Sequence, residues 1–251
     1  MKKRRIICII PARLGSYRFP TKPFVDICGK SMIEHVYKRA ALCKSIDAVY
    51  VATPNDEIKK HVEDFGGNVI MTSDDVRRAS DRVAQAALKI DKSDIVINIQ
   101  GDEPLITPEM IDSALMPILN DPSISCVSLA KRVNFDEASD IHEVKVVFDK
   151  EMNALYFSRE PIPSKFMGDK KIDYYIGVCI FPFTYESLMN FTKLESTPLE
   201  IIESIDMMRL IENGKKVRIV ITENETYSID VPSDVSKVID VMKNDKLSKL
   251  Y

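Results

Sequence analysis

The sequence predicts an α/β protein whose central sheet is mainly parallel and has helices on both faces, a three-layer arrangement. Up to about residue 122, short apolar runs rich in Ile and Val alternate with segments of helical periodicity, at the spacing of β-α-β units. The first run, residues 6–10, opens into a loop rich in proline and arginine. Because open parallel sheets bind ligands at the carboxyl ends of their strands, this loop is expected at the binding edge.

Each element of the first half has its own signal in the sequence. Ser31 is expected to cap the first helix, and Gly66 with Gly67 is expected to end the second. Thr107 and Pro108 are the residue types that begin a helix. The predicted strands lie at residues 6–10, 49–52, 69–71 and 95–99, and the predicted helices at residues 31–44, 56–65, 80–90 and 107–119.

Strands dominate the next part of the chain. They are predicted at residues 125–130, 144–148, 154–157 and 175–182, with a loop rich in proline and lysine over residues 161–173. We interpret this part as an antiparallel extension that carries substrate contacts or a subunit interface. A helix over residues 197–212, a strand over 217–221, a helix over 233–242 and a solvated lysine-rich end over 243–249 are expected to complete the chain.

Composition argues against several classes of protein. The 251-residue chain has a formal net charge of −3, which gives no reason to expect binding to nucleic acid or to an anionic membrane surface. No apolar stretch approaches the roughly 20 residues of a membrane helix, and the basic start lacks the long apolar run of a signal peptide. The five cysteines show no metal-ligand spacing, so we expect free thiols in a cytoplasmic protein.

Three cations are concentrated in the loop after the first strand. Arg13, Arg18 and Lys22 lie within ten residues, and Gly15 and Ser16 permit a tight turn with free backbone N–H groups. Arginine can bind two oxygens at once and lysine acts as a point charge, so the combination is suited to a polyphosphate. The alternative interpretation is a solvated basic loop.

Two carboxylates are expected at the same edge of the sheet. Asp102 follows the strand at residues 95–99, and Asp230 is predicted to end a late strand. Mg²⁺ prefers carboxylate oxygens and substrate phosphates, so these carboxylates and the basic loop predict a phosphoryl- or nucleotidyl-transfer site. Gln100 offers a hydrogen-bond donor and an acceptor, which suits the edge of a base. Taken alone, the Gly-Asp-Glu-Pro run would be an acidic turn.

In these motifs and their order, the chain resembles the 3-deoxy-manno-octulosonate (Kdo) cytidylyltransferases, also called CMP-Kdo synthetases. The resemblance covers nearly the whole chain. It is carried by residues 9–13, 18–23, 100–104, 144–147, 154–159, 161–163, 197–200 and 229–232.

The resemblance implies a Rossmann-like nucleotidyltransferase of one domain, residues 1–251. Its nucleotide-binding part would be about residues 1–122 and 215–251, and its sugar-binding and dimerisation part about residues 123–214. The implied enzyme is a Mg²⁺-dependent homodimer that joins CTP to an acidic 2-keto sugar and releases pyrophosphate. Its CMP-sugar would feed synthesis of lipopolysaccharide or a related surface glycan.

The resemblance also implies roles for individual residues. Arg13, Lys22 and Asp102 would be catalytic, and Asp102 with Asp230 would bind Mg²⁺. Sugar contacts fall on Gln100, Arg159, Tyr175, Glu200 and Glu203. Nucleotide contacts fall on Pro11, Ala12, Arg13, Gly15, Ser16, Arg18, Lys22, Ala79, Ser80, Arg82 and Gln100.

The chain departs from the family pattern mainly where the sugar is expected. Residues 79–82 read Ala-Ser-Asp-Arg where the family usually has Gly-Thr-Glu-Arg, and Tyr175 replaces a histidine. Our hypothesis is that the substrate is a relative of Kdo, such as its 8-amino analogue or another ulosonic acid. Two other functions are considered: a glycosyltransferase that uses a nucleotide sugar, and a regulator that binds nucleotide without catalysis. Retention of Arg13, Lys22, Asp102 and Asp230 together argues against the regulator.

Overall fold

The computed structural model describes residues 3–15, 18–91, 93–166 and 172–251. The strands are β1 (Ile6–Pro11), β2 (Asp26–Ile27), β3 (Lys30–Ser31), β4 (Ala48–Thr53), β5 (Val69–Met71), β6 (Ile95–Ile99), β7 (Val127–Val133), β8 (Lys145–Phe148), β9 (Ala154–Ser158), β10 (Tyr174–Val178), β11 (Ile180–Thr184) and β12 (Arg218–Thr222). The helices are α1 (Met32–Ala41), α2 (Asp56–Asp64), α3 (Ala79–Ala87), α4 (Pro108–Asn120), α5 (Phe135–Ala138), α6 (Tyr185–Phe191), α7 (Pro198–Glu203), α8 (Met207–Glu212) and α9 (Asp234–Met242).

The first sheet is the mainly parallel sheet that the sequence predicts. Its order is β11-β6-β1-β4-β5, with β1 parallel to β4 and β6 and only β11 antiparallel. Every residue of β1 and β6 is buried, because helices cover both faces of these central strands. The loops that follow β1 and β6 therefore emerge side by side at the carboxyl edge of the sheet.

The second sheet contains the antiparallel extension. Its order is β12-β7-β10-β8-β9, in which β7, β10, β8 and β9 are antiparallel neighbours and β12 runs parallel to β7. The predicted late strand thus exists as β12, but it ends at Thr222. Asp230 lies in the loop between β12 and α9, so the prediction that it ends a strand is wrong.

The predicted strand at residues 175–182 is two strands in different sheets. β10 pairs with β7 in the second sheet, and β11 pairs with β6 in the first. The chain crosses between the sheets at Cys179, whose carbonyl oxygen accepts a hydrogen bond from the Gln100 backbone N–H at 3.0 Å. Continuous hydrophobicity conceals this crossing from a sequence pattern, because both strands are largely buried.

The predicted helix at residues 197–212 is also interrupted. α7 ends at Glu203, the next residue, Ser204, has a left-handed backbone with φ of 56°, and α8 begins at Met207. No glycine or proline marks the break. The interruption turns residues 204–206 toward α3, where they form one wall of a cavity.

Lys243, Lys246 and Lys249 are exposed, as predicted for the lysine-rich end, but Asp245 and the C-terminal Tyr251 pack on α1. The Tyr251 hydroxyl donates to His35 Nδ1 at 2.8 Å and accepts from Arg39 Nε at 2.9 Å, while Arg39 also pairs with Asp245. His35 Nε2 donates to the Ile27 carbonyl oxygen at 2.7 Å. Both nitrogens of this buried imidazole are thus engaged in its neutral form. Among the described residues, no helix is long and apolar enough to cross a membrane.

The His35 environment predicts a pH dependence of stability. Burial, reinforced by the nearby charges of Arg39 and Lys30, lowers the pKa of His35 from its usual value of 6.5. Because the unfolded chain then binds a proton more readily, the stabilisation by neutral His35 is lost as the pH falls through about 6.5 and below. We expect His35→Gln, which stays neutral, to lose less unfolding free energy than the wild type between about pH 7.5 and pH 5. Parallel stability curves from urea denaturation would contradict this.

Candidate active site

A cavity of about 640 Å³ opens where the carboxyl edge of the first sheet faces the second sheet. A Cβ atom on Gly101 would lie 3.1 Å from the Pro11 carbonyl oxygen, so the loops after β1 and β6 approach too closely for a larger residue without adjustment. Most of the residues predicted for the site line this cavity together. They are Pro11, Ala12, Arg13, Arg18, Lys22, Ala79, Ser80, Arg82, Gln100, Asp102, Arg159 and Asp230.

The basic loop is anchored at its start and leaves Arg13 available. The Ala12 backbone N–H donates to the Ala52 carbonyl oxygen at 2.9 Å, and the Leu14 N–H donates to Asn55 Oδ1 at 3.0 Å. Arg13 is exposed at the cavity, and within the described part of the chain its guanidinium has no ion-pair partner. Gly15 follows but is not among the described lining residues, and Ser16 lies outside the described residues.

Lys22 joins the two predicted metal-binding carboxylates. Its Nζ lies 2.7 Å from Asp102 Oδ2 and 3.8 Å from Asp230 Oδ1, and it donates to the Ile229 carbonyl oxygen at 2.8 Å. The preceding residue, Thr21, has a left-handed φ of 58°, which turns the chain into the short helical segment that begins at Lys22. Three distant parts of the sequence thus meet at one ammonium group.

The charges at this point depend on one another. Burial acts to lower the pKa of Lys22, but the carboxylates of Asp102 and Asp230 outweigh it and raise the pKa, which keeps the lysine protonated. Burial and the charge of Asp102 raise the pKa of Asp230, and Lys22, Arg18 and Arg159 oppose that rise. A cation between the carboxylates is therefore part of what holds them together.

Arg18 connects the basic loop to the extension. Its Nη2 lies 2.6 Å from Asp230 Oδ1, and its Nη1 donates to His142 Nδ1 at 3.0 Å. His142 and Glu143 line the cavity beside it, although the sequence motifs did not identify them. Burial raises the pKa of Glu143 to about 7.

The donor set is compatible with Mg²⁺. Asp102 and Asp230 supply hard carboxylate oxygens that already share one cation, the Lys22 ammonium. Across the described ranges, no group of three or more Asp, Glu, His or Cys side chains has metal-binding geometry. Two protein carboxylates suit Mg²⁺, which usually keeps several waters and completes its coordination with substrate phosphates.

The start of α3 forms the opposite wall. The Ser80 backbone N–H donates to Asp206 Oδ2 at 2.9 Å, which ties α3 to the turn between α7 and α8. Arg82 was predicted to contact nucleotide, but its Nη1 and Nη2 bind Thr72 Oγ1 and the carbonyl oxygens of Ser73 and Val76. In the structure Arg82 therefore holds the loop before α3, and its contact with nucleotide stays a prediction.

A buried ion pair stabilises this wall from behind. Arg209 Nη2 lies 2.6 Å from Glu200 Oε1, its Nη1 lies 3.0 Å from Asp81 Oδ1, and its guanidinium stacks 4.2 Å from the Phe191 ring centre. Burial acts to lower the pKa of Arg209, but the hydrogen bonds with Glu200 and Asp81 outweigh it and raise the pKa. Glu200, which was predicted to contact the sugar, is not among the described lining residues, because its carboxylate is fully buried beneath Arg209.

Two other predicted sugar ligands also lie away from the described lining. Glu203 accepts hydrogen bonds from the Arg159 backbone N–H at 2.9 Å and the Ser158 hydroxyl at 3.0 Å, so it orients Arg159 instead of facing the cavity. The Tyr175 ring packs against Phe148 with its centre 5.0 Å away. Only Gln100 and Arg159 of the predicted sugar ligands line the cavity.

Several cavity residues were missed by sequence reasoning. Asp206 follows an unmarked helix break, and Cys179 lies in an unmarked strand crossing. Glu103 is buried and accepts from the Cys179 backbone N–H at 3.0 Å, and burial raises its pKa to about 8. Asn98, which is buried and hydrogen-bonds the cavity residues Ser80 and Gln100, did carry a signal, since it is the polar residue in an otherwise apolar strand.

Comparisons with known proteins agree on one kind of enzyme. A family model described as cytidylyltransferase matches residues 7–217. A 3-deoxy-manno-octulosonate cytidylyltransferase of Desulfatibacillum aliphaticivorans is 40% identical, over 96% of this chain and 99% of that protein. An 8-amino-3,8-dideoxy-manno-octulosonate cytidylyltransferase of Shewanella frigidimarina is 41% identical, over 93% and 96%. A solved CMP:2-keto-3-deoxy-manno-octonic acid synthetase complexed with CTP superposes with a TM-score of 0.88 at 36% identity, over 95% and 98%.

The Arg209 ion pair predicts a large effect on stability. Arg209→Met leaves the Glu200 carboxylate buried without its main partner, so we expect the free energy of unfolding to fall by about 3–5 kcal/mol. Arg209→Met combined with Glu200→Met should recover part of that loss, because the buried charge is then absent. Arg132→Met, which removes an exposed ion pair with Asp173, serves as the control and should cost at most about 1 kcal/mol. Equal losses for Arg209→Met and Arg132→Met in urea denaturation would contradict this.

Proposed function

The chain belongs to the 3-deoxy-manno-octulosonate cytidylyltransferase family and is a nucleotidyltransferase, and we propose that it transfers CMP from CTP to Kdo or its 8-amino analogue with release of pyrophosphate. One observation carries the proposal. The Lys22 ammonium, which belongs to the basic loop, lies between Asp102 and Asp230 at the floor of a cavity large enough for a nucleotide and a sugar. This is the donor set that a triphosphate and its cation need.

The basic loop would bind the triphosphate. Arg13 offers an available guanidinium at the cavity, and Arg18 and Lys22 are held in place by carboxylates that a bound cation can neutralise instead. Their positive charges would stabilise the pyrophosphate as negative charge develops on it. Because Lys22 already bridges the carboxylates, its release toward the phosphates is expected to accompany nucleotide binding.

Asp102 and Asp230 are the residues that would hold Mg²⁺. When bound, Mg²⁺ supplies neutralisation of the phosphates and a lower pKa for a coordinated hydroxyl. The reaction itself is a substitution at the α-phosphorus of CTP. The anomeric hydroxyl of the sugar forms the new P–O bond and loses its proton, and the bond to the β-phosphate oxygen breaks to release pyrophosphate. No covalent intermediate with a side chain is required.

The sugar would lie between Gln100 and Arg159. Arg159 Nε donates to the Glu203 carbonyl oxygen at 2.9 Å and its Nη1 donates to the His142 carbonyl oxygen at 3.0 Å, which fixes the side chain at the cavity. A fixed guanidinium is suited to the carboxylate of an acidic 2-keto sugar. The departures over residues 79–82 and the similarity to the Shewanella protein both support the 8-amino sugar as a candidate.

The cellular setting follows from the proposed reaction. Use of CTP as a free substrate supports a cytoplasmic enzyme, and a CMP-activated sugar of this class would serve synthesis of lipopolysaccharide or a related surface glycan.

We further propose a homodimer formed by the second sheet and α7. Support comes from β9, which lies at the sheet edge and exposes Leu155, and from the exposed Ile201 and Ile202 on α7.

A nucleotide-sugar glycosyltransferase is the alternative from another reaction class. It would bind a nucleotide sugar instead of free CTP and would release no pyrophosphate. Asp102 is followed directly by Glu103, so the chain lacks the aspartate pair, separated by one residue, that a DxD glycosyltransferase uses at this position.

The proposed reaction is tested by pyrophosphate release from CTP and Mg²⁺ with each of a panel of ulosonic acids. We expect release only when an acidic 2-keto sugar is added, because its anomeric hydroxyl is the nucleophile. Kdo and 8-amino-Kdo are assayed side by side. Release with Kdo alone would reject the specialised substrate, and absence of release with every sugar would reject the proposed function.

Variants of the shared charge site test its role in the same assay. We expect Lys22→Met and Asp102→Asn each to lower kcat/KM by at least about 100-fold, because each removes charge stabilisation from the reacting phosphates. Asp240→Asn, on the exposed face of α9, is the control and should leave the rate unchanged. Wild-type rates for either site variant would overturn the assignment of this site.

A further inference from the structure

Asn98 is a buried polar side chain on the central strand β6, between the apolar residues Ile97 and Ile99. A buried amide is costly unless its donor and acceptor are both paired. Both are paired here. Asn98 Nδ2 donates to Ser80 Oγ at 3.3 Å, and Asn98 Oδ1 accepts from Gln100 Nε2 at 3.1 Å.

The hydrogen bonds continue beyond Ser80 to a carboxylate. The Ser80 backbone N–H donates to Asp206 Oδ2 at 2.9 Å. Burial raises the pKa of Asp206, and Arg78, whose Nη1 lies 3.8 Å from Asp206 Oδ1, opposes that rise. The side chains of Ser80, Asn98 and Gln100 thus form one hydrogen-bonded chain, the relay, which is held at Ser80 by Asp206 and ends at Gln100 in the cavity.

The hydrogen bonds of the relay run in one direction. The Asn98 NH₂ group donates to the Ser80 oxygen, so the Asn98 carbonyl oxygen faces Gln100. Gln100 in turn donates from Nε2 to that oxygen.

The relay leaves Gln100 Oε1 as a free acceptor. Gln100 lines the cavity, and in the part of the chain that the structure describes its Oε1 has no protein partner. If the amide turned over, the cavity would meet the NH₂ group instead, and the Asn98 oxygen would face another oxygen. The relay therefore selects an acceptor at this point of the cavity.

We propose that Asn98 is a positioning residue that holds the Gln100 amide with Oε1 toward the cavity, where it accepts a hydrogen bond from an N–H or O–H group of the substrate. This inference rests on the proposed function for the identity of the substrates. The donor belongs either to the exocyclic amine of cytosine or to a hydroxyl or ammonium group of the sugar.

A double-mutant cycle distinguishes positioning from a purely structural role. Asn98→Leu, of similar size, removes both hydrogen bonds, and Gln100→Met removes the acceptor. We expect Asn98→Leu to raise the KM for one substrate about 10-fold, the factor expected for one lost hydrogen bond, with a much smaller change in kcat. Because Asn98 acts through Gln100, the double variant should have the same KM as Gln100→Met alone. Effects that multiply, or that fall on kcat only, would overturn the proposal.

The two KM values identify the source of the donor. A raised KM for CTP alone assigns the donor to the nucleotide, and a raised KM for the sugar alone assigns it to the sugar. Ser80→Ala breaks the relay one bond further from Gln100, outside β6. It is expected to change the same KM in the same direction by a smaller factor, and it carries the test if Asn98→Leu does not fold.

A measurement without turnover separates this proposal from the proposed function. In ¹⁵N-labelled protein, the Gln100 side-chain NH₂ signals are identified by their loss in Gln100→Met. We expect one of these protons to exchange slowly with water in the wild type and rapidly in Asn98→Leu. Equal exchange rates would overturn the relay. Slow exchange in a protein that releases no pyrophosphate with any sugar would retain the relay and reject the proposed function.

Discussion

The ammonium group of Lys22 is the contact on which the site depends. It draws together the loop after β1, the loop after β6 and the segment before α9, which are far apart in the sequence. Asp102 and Asp230 would repel each other in their partly buried positions without a cation between them. Lys22 therefore supplies a cation to this pair, and the proposed substrate-bound cation would take its place without separating the loops.

The two walls of the cavity are held by different interactions. On the side proposed to bind the phosphates, the charges are partly exposed: Arg18 and Lys22 bind carboxylates that the proposed cation would also bind. On the α3 wall, the charges of Arg209 and Glu200 are buried and fixed. Water screens the first set and is excluded from the second, so the phosphate side is free to rearrange while the α3 wall stays rigid.

The sequence was sufficient for the parts of the fold and site that follow local rules. Buried strands with a helical spacer, capped helix starts and a basic loop predicted the first sheet and the grouping of Arg13, Lys22 and Asp102. It was insufficient where long-range packing decides. Glu200 has a carboxylate of the kind that binds ligands, but Arg209 from the next helix donates hydrogen bonds to that carboxylate in the protein interior. The strand crossing at Cys179 joins the two sheets, and the helix break at Ser204 brings Asp206 to the start of α3. Neither has a glycine or proline at the break.

The relay through Asn98 explains why a neutral residue is suited to the centre of β6. A charge at this depth would need a counter-ion within the sheet, whereas an amide donates and accepts along one line. At its distant end the Ser80 backbone N–H is held by the Asp206 carboxylate, which lies on the turn created by the helix break. The interruption between α7 and α8 thus places the residue to which Asn98 donates, and Asn98 in turn accepts from the Gln100 amide.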